Sequence, residues 1–174
     1  MTDGLKRRLG IIELLSTRTQ PVSGTELARQ FGVSRQVIVQ DIALLRAENR
    51  NILSTNKGYL LFHPQAKDPF YKEVICVKHD RQQILDEMLS IVEYGGHMLD
   101  VSIDHDLYGQ IRSDLVIDSP EDAREFVRRV KESTSKPLCL LTDDYHYHTI
   151  AAPSEKILKL IKQELKEKGY LVEE

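Results

Sequence analysis

Two histidines, His146 and His148, lie two residues apart in the strand-like run Tyr-His-Tyr-His. Side chains alternate between the two faces of a strand, so these imidazoles point to one face, about 7 Å apart at the backbone. Tyr145 and Tyr147 point to the opposite face. Two imidazoles on one face can converge on a single metal ion.

His79 and Glu87 are the predicted partners of this pair. His79 lies at the end of the strand-like run 71–78, and Glu87 follows eight residues later in a helical pattern, so one strand-to-helix turn brings both towards the two histidines. Three imidazoles and a carboxylate suit Zn²⁺, with Ni²⁺, Co²⁺ or Fe²⁺ also possible, and the lack of thiolates disfavours tight Cu(I) binding. The alternative is that the histidines pair with carboxylates or face solvent, with Glu87 on the polar side of its helix.

The elements that must position these residues alternate between strands and helices. The order β-α-β-β-α-β-β-α predicts helices packed on one mainly antiparallel sheet, and with the N-terminal part it predicts an α+β protein. In chain order, the predicted strands are 71–78, 99–103, 111–117, 138–141 and 145–151, the last two as a hairpin, and the predicted helices are 84–94, 119–133 and 154–168.

The first third of the chain has the spacing of a winged helix-turn-helix. Ser23, with Glu26 three residues on, begins a short helix; Gly32 turns the chain; and Ser34 begins a second helix that ends near Asn49. A DNA duplex is therefore the first partner to expect.

The second helix has an apolar face and a polar face. Ile38, Ile42 and Leu45 recur at helical spacing and are predicted to be core. The polar face lies where recognition helices meet base edges, and Arg suits guanine while Gln suits adenine. The predicted DNA-contacting residues of this helix are Ser34, Arg35, Gln36, Val39 and Gln40.

A β-wing is predicted after this helix. Two short strand-like runs, 52–55 and 59–62, are joined by Asn56-Lys57-Gly58, whose residues tolerate positive φ. Lys57 at the wing tip could contact a phosphate. The alternative is that the helix-turn-helix is a protein-protein module or a vestigial domain on an enzyme.

Charge and composition divide the chain in the same way. Residues 1–66 carry a net charge of +4 and residues 67–174 a net charge of −7, so the basic part is expected to face phosphate. Prolines and polar residues at 63–69 predict the boundary. The two predicted domains are thus 1–66, which binds DNA, and 67–174, which is regulatory.

Several functional classes lack their sequence signals. There is no run of eighteen apolar residues and no signal peptide, which predicts a cytoplasmic protein without a membrane partner. A Gly-rich phosphate loop, Gly-x-Ser-x-Gly and His-Glu-x-x-His are also absent from the sequence, so an enzyme is not expected.

The order of these motifs resembles the niacin-responsive transcriptional repressors, whose effector domain is named for three histidines. The similarity spans nearly the whole chain. Segment 33–47 is close to that family's DNA-binding helix, although related helices occur in many winged repressors and in bifunctional biotin ligases. The more specific motifs are His79 after a strand, His105-Asp106-Leu107-Tyr108-Gly109 and His146-Tyr147-His148-Thr149-Ile150.

The resemblance implies a repressor of genes for niacin uptake or NAD synthesis, with nicotinic acid as co-repressor. It also implies a divalent metal in residues 67–174, for which zinc and nickel are the first candidates. His105 and Tyr108 match the family's His-x-x-Tyr-Gly element and are the predicted effector-binding residues, although His105 could equally be a structural histidine. Asp143-Asp144 stands where the family usually has glycine before the histidine pair. The residues that match the family's metal ligands are His79, Glu87, His146 and His148.

The expected mechanism is a homodimer that holds two winged domains at the spacing of two DNA half-sites, with the effector changing which separation is populated. Two rival functions stay open. One is a metalloregulator, in which the ion itself is the signal. The other is a metal-dependent hydrolase fused to a helix-turn-helix domain.

Overall fold

The computed structural model describes residues 3–62 and 68–173, and the chain forms two compact units, one up to residue 67 and one from residue 68. The predicted boundary between residues 66 and 67 lies outside the described residues. The first unit contains helices Asp3–Ser16 (α1), Gly24–Phe31 (α2) and Arg35–Ala47 (α3), followed by strands Ile52–Thr55 (β1) and Gly58–Leu61 (β2).

Local capping explains why α2 and α3 begin where they do. The Ser23 hydroxyl accepts a hydrogen bond from the Glu26 amide, and the Ser34 hydroxyl accepts one from the Val37 amide. Gly32 ends α2 in the left-handed conformation, with φ 64°. These caps confirm the predicted helix starts, and the predicted core residues of α3 are all buried: Ile38, Ile42 and Leu45.

Helix α1 was not predicted, because its apolar residues do not fall on one clear face. Leu9 is half exposed, whereas Ile11 and Leu15 are buried in the core of the first unit. A buried carboxylate on α3 also holds this helix. Asp41 accepts a hydrogen bond from Arg7 Nε at 2.6 Å and lies 3.5 Å from Arg8 Nη1.

The wing is fixed to the rest of the first unit by backbone contacts. Strands β1 and β2 are antiparallel, with Ile52 opposite Leu61. Val22 and Tyr59 exchange two backbone hydrogen bonds of 2.8 Å each. Gly58 passes so close to Val22 that an added Cβ would lie 2.3 Å from the Val22 carbonyl oxygen.

The second unit is a four-stranded antiparallel sheet with helices packed on one hydrophobic core. Its strands follow the order β5-β4-β6-β3 across the sheet among the described residues. Its elements in chain order are Tyr71–Lys78 (β3), Ile84–Val92 (α4), His97–His105 (β4), Gly109–Ile117 (β5), Pro120–Glu132 (α5), Tyr145–Ala152 (β6) and Glu155–Glu167 (α6).

The predicted strand at Leu138–Leu141, and with it the predicted hairpin, is wrong. These four residues form a 3₁₀ helix, in which the Cys139 carbonyl accepts hydrogen bonds from the amides of Thr142 and Asp144. Short apolar runs do not distinguish a strand from a helical turn by periodicity. Here only Cys139 is buried, and Leu141 is half exposed.

The core of the second unit is formed by apolar side chains from both the sheet and its helices. Ile75 and Val77 of β3 and Ile150 of β6 pack with the apolar faces of α4 and α6. Such burial stabilises a fold by roughly 25 cal/mol per Å² of apolar surface. None of the helices in the described residues is long and apolar enough to cross a membrane.

Replacing Gly58 by alanine tests the attachment of the wing. Gly58→Ala should destabilise the first unit by ~1–3 kcal/mol, because the new Cβ overlaps the Val22 carbonyl and the residue has φ 137°. Gly32→Ala is the matched control, since Gly32 also has positive φ, but a Cβ added there would meet no atom of the described residues within 4 Å. Urea unfolding followed by circular dichroism measures both, and equal stabilities of the two variants would contradict the role of this contact.

Candidate metal centre and nucleic-acid interface

Four buried side chains from three elements converge in the second unit. The Glu87 carboxylate lies at the centre: its Oε2 is 2.7 Å from His79 Nε2 and 3.9 Å from His146 Nε2, and its Oε1 is 3.2 Å from His148 Nε2. Each of the four residues is at most 4% exposed. Strand β6 points both of its histidines to the core face, while Tyr145 and Tyr147 are exposed on the other.

A capping box places His79. Asp80 follows it and caps a 3₁₀ helix, Arg81–Gln83: the Asp80 carboxylate accepts from the Gln83 amide, and the Gln83 side chain accepts from the Asp80 amide. Glu87 then lies in the first turn of α4, which continues directly from this 3₁₀ helix. The sequence predicted this strand-to-helix turn, but not the capping box that fixes it.

A strained turn places His146 and His148. Asp143 and Asp144 have φ values of 48° and 69°, in the left-handed region that glycine adopts easily and aspartate tolerates. The two aspartates, which directly precede the strand of the histidine pair, therefore adopt the left-handed backbone conformation that glycine favours. Strand β6 starts at the next residue.

Backbone carbonyls select one tautomer of each imidazole. The Nδ1 atoms of His79, His146 and His148 lie 2.9, 2.9 and 2.6 Å from the carbonyl oxygens of Asp80, Asp144 and Asp100. A carbonyl can only accept a hydrogen bond, so each Nδ1 carries the hydrogen and donates it. In a neutral imidazole, the Nε2 lone pair is then left facing Glu87, and this is the orientation of histidines that bind metals.

Glu87 is held as a carboxylate. Its burial opposes ionisation, but the charge of His148 and the contacts of His146 and His79 outweigh this and hold the pKa of Glu87 well below its usual value. Burial likewise opposes protonation of His79 and His148, and the Glu87 carboxylate outweighs it and raises the pKa of both imidazoles. The centre thus requires positive charge beside Glu87.

A divalent ion fits these donors. Glu87 Oε1 and His148 Nε2 are both buried and have no hydrogen-bond partner within residues 3–62 and 68–173, although they lie only 3.2 Å apart. Donor atoms of His79, Glu87 and His146 lie within 4.8 Å of one another. Nitrogen and oxygen donors without thiolate suit Zn²⁺ or Ni²⁺. The group of clustered donors found among the described residues does not include Cys139, and burial raises the pKa of its thiol.

The predicted effector residues lie in the turn of the β4–β5 hairpin. His105 Nδ1 accepts a hydrogen bond from the Leu107 amide at 3.2 Å, and the rings of His105 and Tyr108 are 5.0 Å apart. Tyr108 is 76% exposed. The bond to Leu107 gives His105 a local role in the turn, and an effector role stays a prediction for both residues.

The predicted DNA-contacting side chains lie on the open side of α3 and on the wing. Val39 and Lys57 are partly buried, whereas the other four are exposed. Arg46, which no sequence pattern singles out, joins α3 to the wing, since its Nε donates to the Ile52 carbonyl and its Nη2 to the Ser54 hydroxyl. The exposed residues of α3 are Ser34, Arg35, Gln36 and Gln40.

Comparison with known proteins agrees with both parts of this architecture. Residues 7–60 match an HTH domain, and residues 72–174 match the 3H domain. The chain is 40% identical over 169 residues to the probable transcription repressor NiaR of Thermotoga maritima, covering 97% of this chain and 95% of that protein. It is 33% identical over 172 residues to the transcription repressor NadR of Bacillus subtilis, covering 98% and 96%.

The chain belongs to the NiaR-type transcription repressors. The predicted family and the predicted α+β class are therefore confirmed. The HTH domain of this NiaR-type repressor implies that DNA is its partner. What the sequence did not reveal is the set of carbonyl acceptors behind the histidines, because a backbone group leaves no signal in residue type.

The metal centre can be tested in this NiaR-type repressor by removing one donor. Loss of a residue that only orients a metal ligand typically lowers metal affinity by about 10–100-fold. His148→Ala removes a donor nitrogen itself, so it should lower Zn²⁺ affinity by more than this. His105→Ala, outside the cluster, should bind Zn²⁺ as the unaltered protein does. Competition with a chromophoric chelator measures affinity, and full metal occupancy in His148→Ala would refute the assignment.

The recognition face can be tested separately. Arg35→Ala or Gln36→Ala should reduce discrimination between operator and scrambled DNA by ~1–3 kcal/mol per lost base contact, with unchanged metal content. Lys57→Ala is the matched control, because loss of a phosphate contact weakens binding to all duplexes alike and lowers the salt slope by about 1. Fluorescence anisotropy at several salt concentrations separates the two effects. Unaltered discrimination in both α3 variants would place the readout elsewhere.

Proposed function

We propose that this protein represses genes for niacin uptake or NAD synthesis, and that nicotinic acid is its co-repressor. The names of its two relatives, the repressors NiaR and NadR, support a role in this area of metabolism. The HTH domain supplies operator binding, and the second unit senses the effector. A homodimer is part of the proposal, because winged repressors commonly read two half-sites.

His79, Glu87, His146 and His148 would hold a divalent ion, Zn²⁺ or Ni²⁺, in the second unit. The observation that supports this most strongly is the fixed tautomer of all three imidazoles, whose Nε2 atoms face one buried carboxylate. A buried carboxylate among neutral acceptor nitrogens is unfavourable unless a proton or a metal ion compensates it.

The bound ion would offer a coordination position to an oxygen of the effector's carboxylate. The protein residues have a different task, since they hold the donor atoms in place and exclude water from the centre. His105 and Tyr108 are the residues we propose for contact with the pyridine nitrogen or the carboxylate. Tyr108 is accessible for this in the β4–β5 turn.

Calorimetry of nicotinic acid binding to the metal-loaded protein tests this proposal without knowledge of the operator. Nicotinic acid should bind, nicotinamide should bind more weakly because it lacks the carboxylate, and chelator-stripped protein should lose binding. Binding that survives metal removal would separate the effector pocket from the metal centre. Absence of binding would refute nicotinic acid as the effector.

Operator binding then separates the co-repressor from a pure metal sensor. In the proposed function, nicotinic acid raises the operator affinity of the metal-loaded protein, typically by an amount equal to ~1–3 kcal/mol of coupling. Titration with Zn²⁺ or Ni²⁺ alone should raise operator affinity by only a small part of this amount. A full increase with metal alone would make the ion itself the signal.

A further inference from the structure

An extra residue interrupts the pairing of β4 with β6 beside the proposed metal centre. Met98 lies opposite Ile150 and Ser102 lies opposite Tyr147, so β4 advances four residues while β6 advances three. Such an insertion is a β-bulge, and bulges redirect backbone and side-chain groups out of the regular ladder. Asp100 lies inside this bulge and is 2% exposed.

The bulge lets Asp100 contact two consecutive residues of β6 with two different groups. Its carboxylate Oδ1 accepts the Thr149 amide at 2.7 Å, a position that a strand carbonyl takes in a regular ladder. Its own carbonyl oxygen is thereby free to accept Nδ1–H of His148 at 2.6 Å. The side chain of Asp100 thus replaces a ladder bond, and its backbone orients a candidate metal ligand.

Arg112 compensates the charge of this buried carboxylate. Its Nη2 lies 2.9 Å from Asp100 Oδ2 and 3.3 Å from Asp114 Oδ1, while 55% of its side chain remains exposed. A carboxylate removed from water is costly without such a partner. The ion pair therefore holds the bulge in the conformation that presents the carbonyl of Asp100.

His148 differs from the other two histidines in how its acceptor is supplied. The acceptors of His79 and His146 lie one and two residues away in the chain, so local turns fix these rings. The acceptor of His148 is 48 residues away, on another strand. Among the three, His148 depends on a tertiary contact for its tautomer and ring orientation.

We propose that Asp100 is a positioning residue of the metal centre, acting through the carbonyl that binds His148 and through the bulge that its carboxylate maintains. This inference rests on the proposed metal function of the four-residue cluster. Outer-shell partners of this kind fix the tautomer of a ligand histidine, and their loss typically lowers metal affinity by about 10–100-fold.

Three variants test the proposal. Asp100→Ala removes the carboxylate that holds the bulge and should lower Zn²⁺ affinity by about 10–100-fold. Asp100→Asn keeps an oxygen that can accept the Thr149 amide and should recover part of the affinity. Asp114→Ala removes the second carboxylate beside Arg112, leaves both contacts of Asp100 in place, and should bind Zn²⁺ normally.

The tautomer of His148 gives a readout that a general loss of stability would not mimic. Long-range ¹H–¹⁵N NMR of the metal-free protein, recorded at an alkaline pH at which the imidazoles are neutral, should show His148 protonated only at Nδ1 in the unaltered chain and in Asp114→Ala, but in a mixture of tautomers in Asp100→Ala. His79 should stay protonated at Nδ1 in every variant, because its acceptor is local. Circular dichroism confirms that each variant is folded.

The outcomes distinguish the two levels of the proposal. Tight Zn²⁺ binding by the unaltered protein and by Asp100→Ala alike, with the His148 tautomer unchanged, would overturn the role of Asp100 and leave the metal centre standing. If the unaltered protein binds Zn²⁺ no more tightly than His148→Ala does, the assignment of the metal centre is overturned. The positioning role of Asp100 is then overturned as well.

Discussion

The second unit depends on a single electrostatic constraint, the burial of the Glu87 carboxylate against three imidazoles. Each imidazole is turned by a carbonyl so that Nε2 faces Glu87, and all four side chains are removed from water. Positive charge must therefore be present at this point, either as protons or as a bound cation. The capping box at Asp80, the turn at Asp143-Asp144 and the bulge at Asp100 all serve this arrangement.

In the first unit, side-chain and backbone contacts hold helix α3 and the wing in fixed positions relative to each other. Arg46 joins the end of α3 to β1, and the hydrogen bonds between Val22 and Tyr59 attach the wing to the segment that leads into α2. The buried pair of Asp41 with Arg7 holds α1 on α3. Asp41 is buried whereas Gln40, the residue before it, is exposed, so the same helix carries both its anchor and the predicted DNA-contacting side chains.

Most elements were predictable because their signals are local. Caps at Ser23 and Ser34 and the left-handed Gly32 define the helix-turn-helix, and strand β3 begins and ends where the sequence indicates. Two elements were not predictable from such signals. The apolar residues of α1 lie on several faces, and the run Leu138–Leu141 is short enough to suit either a strand or a helical turn.

The sequence alone determined which residues could form a metal centre, because imidazole spacing in a strand and the strand-to-helix turn are properties of neighbouring positions. It also determined the DNA-binding fold and the family. Only the tertiary structure decided that His148 Nδ1 meets the carbonyl of Asp100, a residue 48 positions away in a bulge. The identity of a backbone acceptor and the register of two strands depend on how distant segments pack, and residue type does not encode either one directly.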